Sequence, residues 1–512
     1  MRSASPSPPG RTEPGPGAGA RALAAAIGLL IAACTGPPPA STIAGGSAAE
    51  LAARLIGPTP MEDDLRHLGD RIGGRATGSP ALERSVDWFL GKFKEAGADL
   101  AWTEPFPVPN SWMEDHVAAR VVLPEPFRID LAAMPYCAPT PPGGIEADVV
   151  PVGAGDEAGF KAAGARTRGA ILLVDTKVIV TFDDLFTDYL NMPPLIRRAR
   201  EAEAAALVFV GARPHRLLYR HIADFGPVPL PMAVLAREDG LRLSRLAGAG
   251  PVRMFLDLAI RQGPAFQARN VLAEIRGRET ADEVVLAGAH LDSWDLGTGV
   301  LDNGANCVML LDIARQMAAI GSRPRRSVRF VLFTGEEQGM FGSLGYARTH
   351  AAELDRHAAV AIFDIGTGRF TGFSLGGRSD LQPFVEAALR GHEGAAGLTH
   401  TTDAYVGTDN FDFLIEGVPN LVANQEPANY MDNYHAASDT FEKADLSALR
   451  ANAAIAAALL WGLADAPERA PRQDRAAIAE VLEQTGLAGQ MRTFGLWEAW
   501  ENGDRGRPPA GR

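Results

Sequence analysis

Residues 283–306 read EVVLAGAHLDSWDLGTGVLDNGAN, and residues 326–339 read RSVRFVLFTGEEQG. Each stretch begins with an apolar run of strand length, and residues 305–319 between them have the spacing of a helix. The first strand ends in His290, Asp292 follows two residues on, and Asp302 sits in a Gly-flanked loop that opens the helix. The second strand delivers Glu336 and Glu337 side by side. A histidine and this many carboxylates at the ends of neighbouring buried strands call for a cation to neutralise them. The pattern points to metal-assisted hydrolysis.

Further strands and helices alternate around this pair: strands at 270–275, 359–365 and 418–423, and a helix at 446–463. Such alternation predicts an α/β fold with a mixed, largely parallel sheet flanked by helices. Ligands bind such sheets at the carboxyl ends of the strands, where His290, Glu336, Glu337 and Asp364 fall. Upstream, Ser79-Pro80 reads as a helix start and Gly97 as its stop. Leu82, Val86, Phe89, Leu90 and Phe93 recur on one face of that helix, which should pack on the sheet.

From about 125 to 263 the character changes. Short β-like runs (DVVPVG, AILLVD, ALVFVG) alternate with Gly- and Pro-rich turns and one helical stretch at 194–206. This predicts a small β-rich domain at 125–263, inserted into a catalytic domain made of 50–124 and 264–465. Residues 466–512 are expected to form a helical stretch and then a disordered Gly/Pro/Arg-rich end.

The N-terminus reads as a targeting segment. Arg2, Arg11 and Arg21 precede an apolar run, 22–33, that is too short to span a bilayer. Residues 1–33 are expected to be a signal peptide. Cys34 after LLIAA resembles a lipidated cysteine, followed by a Pro-rich tether to residue 49. The expected place is the bacterial cell envelope, as an exported lipoprotein held to a membrane; Thr35 after the cysteine resembles an outer-membrane sorting signal. The other cysteines, Cys137 and Cys307, give neither a disulfide framework nor zinc-finger spacing.

The whole chain has 512 residues, 46% hydrophobic and 22% charged, which is the composition of a globular protein. A net charge of −13 without a basic stripe excludes nucleic acid as a partner. A homodimer is one allowed assembly.

Two hydrolytic zinc ions need a bridging carboxylate, terminal His and carboxylate ligands, and a base beside the attacking water. Asp302 would bridge. His290, Asp364, Glu337 and His435 (in NYHAASDT) would be terminal ligands, Glu336 the base, and Asp292 the group orienting the His290 ring. Other roles are open. Asp409 or Thr408 reads more readily as a helix cap than as a substrate contact. Tyr434 divides between oxyanion donor and packed aromatic. Trp294 divides between cleft wall and core, and His215 and His221 have no ligand spacing.

At these motifs the chain resembles the co-catalytic zinc exopeptidases, which include leucyl aminopeptidases, glutamate carboxypeptidase and carboxypeptidase Q. RIGGRATGSPA (71–81) resembles the family's N-terminal stretch, and HLDSWDLGTGVLDNG (290–304) and GTDNFDFLIEGVP (407–419) are nearest the carboxypeptidase Q branch. The resemblance implies two zinc ions per chain, a protease-associated domain as the insert, and hydrolysis of terminal bonds in peptides or dipeptides. It implies His290, Asp302, Glu337, Asp364 and His435 as ligands, Glu336 as base, a Tyr434 contact with the tetrahedral intermediate, and a cis peptide after Asp302. Asn303 stands where the family often has a second Asp, and Asp364 lacks the acidic residue two positions earlier. Rival expectations are a glutaminyl-cyclase-like zinc acyltransferase, a deacylase on another amide, and a non-catalytic receptor-like module.

Overall fold

The computed structural model describes residues 44–221, 226–509 and 511. The expected signal peptide, Cys34 and the first part of the tether lie outside the described residues. The last residues of that tether instead belong to a helix, Ala44–Ile56, whose Leu51 and Leu55 are fully buried in the core.

The central sheet has seven strands: β1 (Leu100–Val108), β2 (Phe266–Ile275), β3 (Thr280–His290), β4 (Arg326–Phe333), β5 (His357–Ile362), β6 (Phe370–Ser374) and β7 (Asn420–Gln425). Their order across the sheet is β1-β2-β4-β3-β5-β7-β6. The four middle strands, β4, β3, β5 and β7, run parallel, and the flanking ones pair antiparallel. Strand alternation splits the apolar side chains between two faces. Val285, Ala287 and Ala289 of β3 pack with helices Pro80–Glu95, Ala305–Ala319 and Leu446–Asp465, while Val284 and Leu286 face Phe413 and Tyr346 on the other side. Ser79 caps its helix by accepting from the Leu82 amide at 3.1 Å, and Gly97 follows the end at φ +83°. The one helix among the described residues long and apolar enough to cross a membrane, Leu446–Asp465, is mostly buried.

Register sets the height of the site. His290 pairs with Phe333 of β4, and Gly288 with Ile362 of β5. Glu336, Glu337 and Asp364 therefore leave the sheet just beyond the level at which β3 ends in His290.

A second sheet of eight strands contains Ser111–Leu123, Ile145–Pro151, Ile171–Val174, Ala206–Val210, Met232–Leu235 and Arg253–Gly263, with two short edge strands. Its longest strand, Ser111–Leu123, lies ahead of residue 125, where the insert was expected to begin. It is held there by antiparallel pairing with Arg253–Gly263 along most of its length. The expected helix at 194–206 is instead Phe182–Glu201. Pro194, where that stretch was expected to begin, lies inside it with Pro193; the start is a capping box in which the Thr181 hydroxyl and the Asp184 carboxylate bond each other's backbone amides.

The C-terminal region also departs from expectation. Helices Arg475–Gln484, Leu487–Thr493 and Trp497–Asn502 bury Ile478, Leu482, Leu487 and Met491 against Phe411 and Ile415. The Gly/Pro/Arg-rich end is pinned because Arg505 donates to both Asp412 carboxylate oxygens, at 2.8 and 3.0 Å.

Candidate metal centre

Asp302 lies between two histidines. His290 Nε2 is 3.1 Å from Asp302 Oδ1 and 2.8 Å from Asp364 Oδ1. His435 Nε2 is 3.4 Å from Asp302 Oδ2 and 2.9 Å from Glu337 Oε2. Two donor groups result, His290–Asp302–Asp364 and Asp302–Glu337–His435, each with its ligand atoms within 4.8 Å of one another. All five side chains are buried. The structure thus brings together every residue expected as a ligand.

The surroundings hold these groups in place. The His290 Nδ1–H donates to the Asp292 carbonyl oxygen at 3.0 Å, which fixes the ring with Nε2 toward the carboxylates. Asp292 was expected to orient the ring with its carboxylate, but that group stands 3.9 Å away. It accepts instead from Thr77 Oγ1 (2.9 Å) and from the amides of Glu336 (3.2 Å) and Glu337 (3.3 Å). Asp292 therefore fixes the ring by its backbone and the glutamate turn by its side chain. The Asp302–Asn303 peptide is cis, as the resemblance implied. Thr408 and Asp409 were expected to cap a helix; Asp409 occupies the cap position of Asn410–Ile415, yet its side chain makes no cap bond and is fully buried.

Three supports were not foreseen. Asp439 accepts from the amides of Leu301 (2.7 Å) and Asp302 (3.1 Å), anchoring the residue shared by the two donor groups. Arg75 is fully buried, and its guanidinium donates to the carbonyls of Leu291, Thr298 and Gly299 at 2.7–2.8 Å, holding both ends of the loop between β3 and Asp302. The segment of Tyr219 and Arg220 pairs with the His435 segment: the Arg220 amide donates to the His435 carbonyl at 3.0 Å, and Tyr219 bridges to Ala436. His435 sits at φ +56°, a left-handed backbone that costs a non-glycine residue energy and persists because its neighbours hold it.

The residues with open roles belong to an aromatic shell. Tyr434 stacks on the His435 ring at 3.6 Å between centroids, and its hydroxyl lies 3.1 Å from that of Tyr189. Trp294 is buried and stands edge-on to His435, so it serves both core and wall. His221 is no ligand: its Nε2 lies 2.9 Å from Asp188, and its ring stacks on Tyr189.

Electrostatics favours a cation in this cluster. Burial pushes Glu336 and Glu337 well above the usual carboxylate range, with neighbouring carboxylates adding to it. Burial pushes His435 down to about 3, so it is a neutral ligand at working pH. Asp302 Oδ2 and Glu337 Oε1 are buried with no hydrogen-bond partner, a costly arrangement unless another group meets them. Oxygen and imidazole donors in two groups sharing one carboxylate fit a pair of zinc ions.

Residues 270–460 match the profile of Peptidase family M28. The match covers β2 through the helix Leu446–Asp465, and so every residue of both donor groups. The chain is 27% identical to carboxypeptidase Q of Mus musculus over 416 residues, 79% of this chain and 86% of the relative. It is 26% identical to a probable lipoprotein aminopeptidase of Mycobacterium tuberculosis, over 80% of this chain and 86% of that one. A Peptidase M28 precursor from Shewanella amazonensis superposes with a TM-score of 0.75 at 27% identity, covering 83% of this chain and 98% of that one. A zinc aminopeptidase from Bacillus subtilis, at 18% identity and a TM-score of 0.63, shares the fold. These likenesses bear out the resemblance to the zinc exopeptidases of the carboxypeptidase Q branch and the expectation of a hydrolase acting on peptides.

Proposed function

We propose that this chain is a di-zinc exopeptidase that hydrolyses terminal peptide bonds. The observation that carries the reading is Asp302, which turns one carboxylate oxygen to His290 and the other to His435. His290 and Asp364 would hold one ion, Glu337 and His435 the other, and Asp302 would join them. When bound, zinc would supply Lewis acidity and lower the pKa of the attacking water.

The chain's own groups do the rest. Glu336 faces the cleft with its amide tied to Asp292, and it takes a proton from the attacking water and returns it to the leaving amine. The Tyr434 hydroxyl, braced by Tyr189, donates to the oxygen that gains charge at the scissile carbon. Asp439 and Arg75 keep the bridging loop from shifting as that charge develops. The second sheet is read as a protease-associated insert, a reading supported by the reach of its helix Phe182–Glu201 to the cleft. Export as a lipoprotein through Cys34 belongs to the same proposal, and acylation lost in Cys34→Ala checks it.

Zinc titration of metal-free protein, read together with peptide hydrolysis, tests the function. Activity that reaches its maximum at two ions per chain supports it. Full activity in excess chelator contradicts it.

A further inference from the structure

The two histidines of the donor groups are held in different ways. His290 ends a strand of the central sheet, and its Nδ1–H is fixed by the Asp292 carbonyl. His435 lies in a turn at φ +56°. Its buried Nδ1 makes no well-formed hydrogen bond among the described residues, the backbone of Arg220 being the polar group that acts on it. A metal-ligating imidazole ordinarily has its outer nitrogen tied down, and that bond sets the ring. His435 must rely on its backbone and its walls, and both lead to Arg220. From this convergence, and resting on the di-zinc reading above, we infer that Arg220 is a positioning residue for the ion between Glu337 and His435. The second sheet, through Arg220, then sets the affinity for that ion and not for the other.

The clasp has two arms. On the backbone side, the Arg220 amide donates to the His435 carbonyl and the Ala437 amide to the Leu218 carbonyl, both at 3.0 Å, with Tyr219 antiparallel to Ala436 between them. On the side-chain side, Arg220 Nε and Nη2 donate to the two carboxylate oxygens of Asp295 at 2.8 and 2.9 Å. Asp295 follows Trp294, whose ring stands edge-on to His435 at 6.1 Å between centroids. The third guanidinium nitrogen, Nη1, donates to Glu114 and to the Ala133 carbonyl, both in strands of the second sheet. The group is buried and lies over the Trp112 ring. One side chain thus ties the second sheet to the loop before Asp302 and, through its own amide, to His435.

Removing that guanidinium leaves Glu114 and Asp295 without their cation, and the contact opens. His435 is then free to leave a left-handed backbone that a non-glycine residue disfavours. The cost falls on the group Asp302–Glu337–His435. The group His290–Asp302–Asp364 keeps its supports in the central sheet, in Asp292 and in Asp439. By linkage, the ion beside His435 tightens the contact with the second sheet by the same factor as the contact tightens the ion.

The test measures zinc binding by the full chain, with free zinc set by a chelator and zinc per chain read by elemental analysis. Anomalous peaks from crystals at the intermediate zinc level assign each binding step to a donor group. Arg220→Gln is expected to weaken the ion beside Glu337 and His435 about 10- to 100-fold and to leave the other within about threefold. Asp295→Asn, a milder change, is expected to weaken the same ion about threefold to tenfold. Arg505→Gln breaks a buried ion pair of the C-terminal region and is the control: Tm falls and both ions stay. Equal weakening of both ions in the Arg220 and Asp295 variants, or of neither, overturns the inference and leaves the di-zinc reading standing. Selective loss of the same ion in Arg505→Gln also overturns it, because lower stability alone would then explain the effect. A wild-type chain that binds only one ion overturns the di-zinc reading and the inference with it.

Discussion

The hydroxyl of Tyr189, carried by a helix of the second sheet, lies 3.1 Å from the hydroxyl of Tyr434, which stacks on the His435 ring of the metal centre. One hydrogen bond therefore joins the second sheet to Tyr434, the proposed oxyanion donor. Tyr434→Phe is expected to lower kcat by about 100-fold, the effect of losing an oxyanion donor. Tyr189→Phe removes only the brace, worth about 0.5–1.5 kcal/mol, and is expected to lower kcat by about threefold to tenfold. In the double variant the Tyr189 effect should vanish. Steady-state kinetics of the four proteins decides this, and additive losses would falsify the coupling.

Glu336→Gln keeps the size of the side chain and removes the base. Zinc content should stay at the wild-type level while kcat falls about 100- to 10,000-fold. Elemental analysis and kinetics on the same preparation separate this from ligand loss. A variant with near-normal turnover would show that the proton goes elsewhere.

Glu337→Ala and His435→Ala should differ from it in kind. Each removes a ligand of the same donor group, so each is expected to lose zinc as well as activity. If either retains the wild-type metal content while Glu336→Gln loses it, the roles of the adjacent glutamates are reversed.

The pH dependence follows from the metal-free cluster. Burial, with neighbouring carboxylates, raises Glu336 and Glu337. For His290, burial opposes the cation but Asp364 and Asp302 prevail, and its pKa is also raised. A group raised on folding contributes stability that is complete below its unfolded pKa and is lost as pH climbs through its folded one. His435, pushed down to about 3 by burial, has the opposite sign: its contribution is present above the ordinary histidine value and lost as pH falls. Burial also raises Asp439, to about 7, so raised groups outnumber the lowered one and the metal-free protein should lose stability as pH rises through neutrality. Zinc requires these groups deprotonated. The rise in Tm on adding zinc is therefore expected to grow from about pH 5.5 to about pH 8. Thermal unfolding with and without zinc measures it, and a rise that shrinks over that range contradicts the assignment.

The strand-end residues were legible in the sequence because their information is local. An apolar run that stops at His290, or at Glu336-Glu337, states both the element and the end of it that carries the ligand. Helix 305–319 and the Ser79 cap were legible for the same reason. Arg75, Thr77, Asp439 and Tyr189 were not, since each acts on a group far away in the chain and their own neighbourhoods carry no periodic signal. Asp439, four residues past His435, and Arg75 and Thr77, within 71–81, lay in stretches already singled out, but nothing local stated what they hold. Pro193-Pro194 misled the reading of the wall helix. Local proline preference was overridden by a capping box upstream at Thr181, and that first half of the helix carries Phe182, Leu185, Phe186 and Tyr189 to the cleft. The C-terminal end looked disordered by composition, but one buried ion pair between Arg505 and Asp412 orders it.

The central claim is that one carboxylate holds two ions. Anomalous diffraction at the zinc edge from crystals of zinc-loaded protein measures this directly. The account predicts two peaks flanking Asp302, one beside His290 and Asp364 and the other beside Glu337 and His435. A single peak, or two peaks with Asp302 bound to neither, contradicts it.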